Sequence, residues 1–184
     1  MLAPVARGLV AGKVHPNTIT ILGMLPAIAA GYAFAMCDVR LGGILLGVSG
    51  LLDLLDGQVA RLSNKMTKFG AILDSTLDRY AEIATFLGLA VYFRWSMTLY
   101  GVVLALGGSL MVSYVKARAE GLGFSCDGGL LQRPERLVII VVGALVGPRY
   151  LEWAIWIIAV LANITAFERL LRVRGPMSSG TPQA

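Results

Sequence analysis

Apolar segments that are each about long enough to cross a bilayer follow one another along most of this chain. Hydrophobic residues make up 57% of the 184 positions and charged residues only 15%, a composition far from that of a water-soluble domain. A spanning helix needs roughly 20 apolar residues, which leaves room for about six spans with short connections. We therefore predict an all-α integral membrane protein with six transmembrane helices, near residues 18–36, 41–62, 69–93, 97–120, 133–146 and 150–171.

We expect one membrane domain over residues 1–184, with no separate soluble domain. A short N-terminal interfacial segment covers residues 1–16, where Ala3 to Val14 could form a helix lying on the bilayer surface. A polar C-terminal tail begins at about residue 173. The first 17 residues lack a long apolar stretch, so no cleavable signal peptide is expected.

The basic residues are concentrated at alternate ends of the predicted spans. Because cytoplasmic connections carry an excess of lysine and arginine, this pattern predicts a multi-pass protein of the cell membrane with both termini in the cytoplasm. The formal net charge of +5 is then a topology signal, and no nucleic-acid partner is expected. The cytoplasmic group comprises Arg7, Lys13, Arg61, Lys65, Lys68, Lys116, Arg118, Arg133, Arg136, Arg169, Arg172 and Arg174, against Arg40, Arg94 and Arg149 on the other side.

Four aspartates interrupt the second and third predicted spans. Asp53 and Asp56 are three residues apart, and Asp74 and Asp78 are four apart, so each pair lies on one face of its helix. Charged groups in lipid are costly and indicate a functional site. If the two helices pack against each other in antiparallel fashion, the four carboxylates share one cavity near the cytoplasmic face.

The chemistry expected of this cavity follows from its ligand atoms. Four close carboxylates repel one another and relieve the repulsion by taking up protons or a cation. Hard oxygen ligands favour Mg²⁺, Mn²⁺ or Ca²⁺ over zinc. Gly57 and Ala60 leave a strip without large side chains, Arg61 offers a fork for phosphate oxygens, and Thr67 adds a hydroxyl.

These residues form a recognisable pattern. Asp53-x-x-Asp56-Gly57-x-x-Ala60-Arg61, followed after eight residues by Gly70-x-x-x-Asp74-x-x-x-Asp78, resembles the signature of the CDP-alcohol phosphotransferases. The resemblance implies that an acceptor hydroxyl attacks the β-phosphorus of a CDP-linked lipid and that CMP leaves. It also implies a Mg²⁺ site, with Mn²⁺ as an alternative, in which Asp78 doubles as general base and the metal ligands are Asp53, Asp56, Asp74 and Asp78.

The resemblance further implies the partners of the reaction. The donor is CDP-diacylglycerol or CDP-archaeol, bound among membrane lipids at an active site that faces the cytoplasm. Members of the family are commonly homodimers, so we expect a homodimer here. The donor-binding residues implied are Asn17, Thr18, Ile19, Thr20, Asp53, Asp56, Gly57, Ala60, Arg61, Thr67 and Gly70.

The acceptor is indicated by two later segments, 113–120 and 132–136. They resemble the subgroup of the family that makes phosphatidylinositol phosphate or archaetidylinositol phosphate. A basic pocket suits an acceptor that already carries a phosphate, although positive-inside arginines are also expected at these helix ends. The resemblance implies binding of inositol 1-phosphate by an acceptor set of five residues, Ser113, Lys116, Arg133, Arg136 and Arg169.

Three alternatives remain open from the sequence. Transfer to glycerol 3-phosphate, giving phosphatidylglycerol phosphate, would use the same chemistry with a different acceptor. An ion-coupled transporter would use the carboxylates to bind its coupling ion, but such proteins tend to show internal repeats and midplane sites, which we do not find here. An inactive scaffold would not need the four intact aspartates.

Overall fold

The computed structural model describes residues 3–12, 15–63, 66–126 and 128–179. Lys13, Val14 and Lys65 of the sequence analysis, and the last residues of the predicted tail, lie outside this part. The described chain is all-helical, as predicted. Its elements are α1 (Ala3–Ala11), α2 (Pro16–Ala35), α3 (Val39–Leu62), α4 (Lys68–Tyr92), α5 (Thr98–Gly121), α6 (Arg133–Val146) and α7 (Pro148–Ser179).

Three of the described helices are long and apolar enough to cross a bilayer, which agrees with a membrane protein. They are Pro16–Ala35, Thr98–Gly121 and the Pro148–Arg174 part of α7. The remaining long helices, α3 and α4, each carry two of the four aspartates. α7 continues to Ser179, so the first residues of the predicted polar tail are helical.

The chain divides into two compact units, residues 1–92 and residues 93–184. In the first unit α2 packs against both α3 and α4, and α1 packs against α3. The sequence analysis considered antiparallel packing of α3 against α4, and their aspartates do meet, but the extensive contacts of both helices are with α2. Small residues explain this choice, because a Cβ at Gly31 of α2 or at Gly88 of α4 would overlap the backbone of the other helix.

The register of these contacts brings three helix ends together. α2 and α3 are antiparallel: the Ser49 hydroxyl donates to the Gly23 carbonyl at 2.8 Å, and Gly42 lies against the Phe34 ring. α2 and α4 are parallel, since Gly70 lies beside Asn17, just as Gly31 lies beside Ala84. The first turns of α2 and α4 and the last turns of α3 therefore meet at one end of this unit.

The α1 helix uses its apolar face within the protein. Ala6 is fully buried and forms a cluster with Ile19, Leu55 and Val59. The short N-terminal helix expected from the sequence is therefore present, and it braces α3 next to the aspartate that follows Leu55. Its location at the bilayer surface stays a prediction.

The second unit consists of α5, α6 and α7, with extensive packing of α5 and α6 on α7. α5 and α7 run parallel, because Gly101 lies beside Ile155, and Gly108 lies beside Asn163 further along. The Asn163 amide also donates to the Leu104 carbonyl at 3.0 Å. The short helix α6 turns directly into α7 at Gly147.

Candidate active site

Three aspartates form an acidic cluster in the first unit. Oxygen atoms of Asp53 and Asp56 on α3 and of Asp74 on α4 all lie within 4.8 Å of one another. Asp56 is only 7% exposed, and the other two are half-buried. Like charges so close together repel unless protons or a cation compensate them.

The acidic cluster fits a divalent cation. The oxygen ligand set is of the kind that Mg²⁺, Mn²⁺ and Ca²⁺ prefer. Within the described residues, the buried Asp56 Oδ2 has no hydrogen-bond partner. A buried oxygen left in this state is costly, and a bound cation would satisfy it.

Asp78 takes a different position from the other three. It lies one turn after Asp74 on α4 and is half-buried, but it does not belong to the group whose oxygens meet within 4.8 Å. The structure thus gathers three of the four predicted metal ligands.

A cavity of about 190 Å³ adjoins the cluster, and we call it the acidic cavity. Eight of the predicted donor-binding residues line it, and a ninth, Asp53, belongs to the cluster beside it. Thr18 and Ile19 do not line it; Thr18 is exposed, and Ile19 belongs to the apolar cluster under α1. The complete lining is Pro16, Asn17, Thr20, Asp56, Gly57, Ala60, Arg61, Met66, Thr67, Gly70, Ala71 and Asp74.

Two glycines shape the wall of the acidic cavity. A Cβ at Gly57 would meet no atom within 4 Å, so the α3 backbone is open to a ligand there. A Cβ at Gly70 would lie 3.0 Å from Thr67 Oγ1 and 3.2 Å from Asn17 Oδ1, so glycine permits close approach of α4 to α2.

The first turns of α2 and α4 both border the acidic cavity. The Thr67 hydroxyl accepts a hydrogen bond from the Gly70 amide at 2.9 Å and so caps the start of α4. His15 caps α2, its Nδ1 accepting from the Asn17 amide at 3.3 Å. Helix N-termini carry partial positive charge, and together with Arg61 they favour an anionic group such as a diphosphate.

Sequence reasoning missed three residues of the lining, Pro16, Met66 and Ala71. Pro16 and Ala71 are the immediate neighbours of Asn17 and Gly70, which were predicted. Their position depends on the parallel packing of α2 with α4, and no local pattern indicates that packing.

The five residues of the acceptor set lie in the second unit, and their side chains differ in exposure. Arg136 is 1% exposed and Arg169 is 4% exposed. The Lys116 ammonium lies 3.5 Å from the Glu120 carboxylate, one turn along α5. Ser113, Lys116 and Arg133 are half-buried and reachable by a solute.

Both buried arginines of the set contact main-chain carbonyls. Arg136 Nη1 donates to the Leu131 carbonyl at 3.4 Å, and Arg169 donates to the carbonyls of Val112 and Gly128. A cavity of about 540 Å³ in this unit has a mainly apolar lining from α5 and α7, with Arg118 and Arg174, and contains no member of the acceptor set.

Comparison with known proteins bears directly on the aspartate signature. The model of the CDP-alcohol phosphatidyltransferase family matches residues 13–165. The phosphatidylinositol phosphate synthase of Mycobacteroides abscessus is 36% identical over 181 residues, which cover 93% of this chain and 82% of that protein. The archaetidylinositol phosphate synthase of Methanothermobacter thermautotrophicus is 42% identical over 160 residues, covering 84% of this chain and 80% of the other.

Solved structures give the same answer. The crystal structure of Mycobacterium tuberculosis phosphatidylinositol phosphate synthase with CDP-DAG bound matches with a TM-score of 0.86 at 36% identity, over 94% of this chain and 93% of that one. The same enzyme in complex with manganese and citrate matches with a TM-score of 0.87 at 36% identity, over 95% and 89% of the two chains. The resemblance read from the aspartates is confirmed: this chain belongs to the CDP-alcohol phosphatidyltransferase family of phospholipid-synthesising enzymes.

Proposed function

We propose that this enzyme transfers the phosphatidyl or archaetidyl group of a CDP-linked lipid to inositol 1-phosphate and releases CMP. The observation that carries the proposal is the acidic cluster beside a cavity lined by Gly57, Arg61 and Thr67. The names of the relatives support the acceptor, because they are phosphatidylinositol phosphate and archaetidylinositol phosphate synthases. Neither the glycerol 3-phosphate alternative nor the transporter is favoured by these similarities.

The acidic cavity binds the cytidine diphosphate part of the donor, CDP-diacylglycerol or CDP-archaeol. Arg61 offers paired donors to phosphate oxygens, and the open backbone at Gly57 admits a bulky ligand against α3. The N-termini of α2 and α4 add partial positive charge. The CDP-DAG complex of the M. tuberculosis relative supports this donor class. Thr18 and Ile19, which the resemblance also implied, do not line the acidic cavity; Ile19 packs under α1 and so supports the first turn of α2.

Asp53, Asp56 and Asp74 hold a divalent cation, Mg²⁺ with Mn²⁺ as an alternative. The manganese complex of the M. tuberculosis relative supports a divalent metal. When bound, the cation neutralises the diphosphate and stabilises the departing CMP.

Asp78 is the general base. It accepts the proton of the acceptor hydroxyl as the oxygen attacks the β-phosphorus. Its position outside the group of three carboxylates supports this separate role, and its place one turn from Asp74 keeps it near the reacting atoms.

The acceptor set, Ser113, Lys116, Arg133, Arg136 and Arg169, serves inositol 1-phosphate. Its charges favour a doubly charged phosphate over free inositol. Half-buried Ser113, Lys116 and Arg133 are the members suited to direct contact.

The membrane arrangement is also part of the proposal. Helices α2 to α7 lie close to the six predicted spans, which supports six transmembrane helices in one membrane domain over residues 1–184. The basic residues favour cytoplasmic termini and an active site facing the cytoplasm of the cell membrane. We further propose the homodimeric state that is common in this family.

The test is CMP release by the purified protein in detergent with Mg²⁺ and either CDP-diacylglycerol or CDP-archaeol. We expect release with inositol 1-phosphate and none with glycerol 3-phosphate, with free inositol or without acceptor. Release with glycerol 3-phosphate instead would keep the mechanism and replace the acceptor. Absence of release with both donors and every acceptor would refute the proposed reaction.

A further inference from the structure

We propose that a cavity between the C-terminal parts of α5 and α7 binds an anionic phospholipid, with an acyl chain in the cavity and the head-group phosphate against Arg118 and Arg174. This is the cavity of about 540 Å³ in the second unit, and we call it the α5–α7 cavity. It shares no residue with the acidic cavity or with the acceptor set. The proposed site is therefore additional to the donor and acceptor sites of the proposed function.

The α5–α7 cavity has the size and wall expected of a site for a hydrocarbon chain. Its volume lies within the range of roughly 300–1,000 Å³ that is typical of ligand pockets. Ala119 and Val173 of its mainly apolar wall are buried in one cluster with Cys126, whereas Leu122 and Leu170 are about half exposed. Both helices are long and apolar enough to cross a bilayer, so a lipid chain is available to cover this wall.

Two arginines add positive charge to the cavity, one from each helix. Arg118 of α5 and Arg174 of α7 both belong to the lining and are both exposed, and the described lining contains no carboxylate. Glu120, two residues after Arg118, lies 3.5 Å from the ammonium of Lys116. The positive-inside rule accounts for basic residues at these helix ends but not for two that line one apolar cavity. Two guanidinium groups on one wall favour a phosphate.

The cavity faces away from the acceptor set on both helices. At 3.6 residues per turn, Arg118 lies roughly 140° around α5 from Ser113 and roughly 160° from Lys116. Arg174 likewise lies roughly 140° around α7 from Arg169. The two arginines are thus placed for a ligand other than inositol 1-phosphate.

A ligand with both an anionic head group and a hydrocarbon chain uses the whole site. Free inorganic phosphate would contact the arginines and leave the apolar wall uncovered, and a neutral lipid would cover the wall and gain nothing from the positive charge. A second copy of this chain, docked symmetrically through the same surface, would bring four arginines together. Anionic lipids of the cytoplasmic leaflet present their phosphates near basic helix ends such as these.

The test is binding of phosphatidylglycerol to the purified full-length protein in detergent, without CDP-lipid or inositol phosphate. Mg²⁺ is omitted as well, so that the carboxylates of the acidic cluster repel anionic lipids. Native mass spectrometry counts the bound lipids, and a titration gives Kd. We expect one phosphatidylglycerol per chain, and phosphatidylcholine with the same acyl chains should bind about tenfold more weakly. Inorganic phosphate should not displace the lipid.

Variants test the two arginines directly. Arg118→Gln combined with Arg174→Gln removes the positive charge from the cavity and keeps its apolar wall. We expect the Kd for phosphatidylglycerol to rise on the order of tenfold and the Kd for phosphatidylcholine to stay within about twofold. Arg40→Gln combined with Arg149→Gln removes the same charge at two exposed arginines outside the cavity and is the matched control. The two single variants, each with a smaller expected increase, serve if the double variant does not fold.

Each outcome decides the proposal. Charge-selective binding that the double variant loses and the control keeps supports the lipid site. Equal Kd values for the two lipids, an unchanged Kd in the double variant or an equal loss in the control overturns it. Displacement of the lipid by inorganic phosphate, or a lipid-free dimer that the double variant dissociates, overturns it as well and points to a simple anion site or to an interface between copies. No measurement uses CMP release, so failure of the proposed function is seen separately.

Discussion

The two units of this enzyme use buried charge in opposite ways. In residues 1–92, three carboxylates are held within 4.8 Å of one another, and the described residues leave Asp56 Oδ2 without a hydrogen-bond partner. In residues 93–184, the buried guanidinium of Arg169 is satisfied by main-chain carbonyls, and half-buried Lys116 lies beside Glu120. The first arrangement brings like charges together in a way that fits a cation, whereas in the second a buried cation donates to the backbone.

The difference shows which charged residues can be assigned a binding or a structural role from their surroundings. A cluster of like charges around a buried oxygen that lacks a hydrogen-bond partner indicates a binding role, because bringing such charges together does not help the chain to fold. A buried cation that donates to backbone carbonyls has a structural reason to be present. Substitutions of charged residues in the two units should therefore affect activity and stability differently.

The sharpest test of the comparison is Asp56→Asn. Removing one charge from the acidic cluster weakens cation binding, and we expect CMP release to fall at least about 10³-fold. The same change relieves repulsion, so the Tm measured without metal should rise while the increase in Tm on adding Mg²⁺ is lost. Asp38→Asn, which keeps the cap on the Leu41 amide, is the matched control. A large loss of metal-free stability would instead show that Asp56 is structural.

Asp78→Asn separates catalysis from binding within the first unit. Loss of the base should lower kcat by roughly 10²- to 10³-fold. Because Asp78 lies outside the group of three carboxylates, binding of CDP-lipid and the Tm increase with Mg²⁺ should both be retained. Binding is measured by displacement of a labelled donor. If donor and metal binding disappear together with turnover, Asp78 is a metal ligand in its own right.

Lys116→Ala tests the second unit at the half-buried lysine of the acceptor set. Its ion pair with Glu120 is of the surface type and contributes on the order of 0.5 kcal/mol, so the Tm should hardly change. We expect the KM for inositol 1-phosphate to rise about tenfold and the KM for the CDP-lipid to stay the same. Glu120→Gln removes the ion pair and keeps the cation, and it should leave both KM values unchanged. Equal increases in both KM values for Lys116→Ala would remove it from the acceptor set.

Gly57→Ala should have the smallest effect. The added methyl meets no protein atom within 4 Å, so the Tm should stay the same or rise slightly through higher helix propensity. If the ligand approaches the α3 backbone, the KM for the CDP-lipid rises about three- to tenfold. Gly107→Ala, at a helical glycine with equally open surroundings, controls for propensity alone. An unchanged donor KM would place the ligand away from Gly57.

Much of the fold and most of the lining of the acidic cavity could be predicted from the sequence. The apolar segments correspond to α2 to α7, and the aspartate spacing led to three carboxylates that do meet. These features are local, since helix periodicity fixes which residues share a face. Where a long-range contact decides a residue's surroundings, the sequence did not reveal them; Ile19 packs under α1 and does not line the acidic cavity.

The sequence also did not reveal which helix each helix packs against. Both α3 and α4 pack extensively on α2. Gly31 and Gly88 let the backbones of α2 and α4 come into contact, and Gly42 of α3 makes room for the Phe34 ring of α2. A glycine in a sequence does not reveal which helix it will contact. For the same reason the main-chain partners of Arg169, which are 41 and 57 residues distant in sequence, could not be foreseen.

The sequence by itself determined that this chain is helical and apolar, which family it belongs to and which aspartates share a helix face, because composition and helical spacing are properties of neighbouring residues. Only the tertiary structure decided that three of those aspartates converge while Asp78 stays apart, and that Arg169 donates to main-chain carbonyls. Such outcomes depend on how close helices approach and which buried groups meet, and these are set by packing over the whole unit.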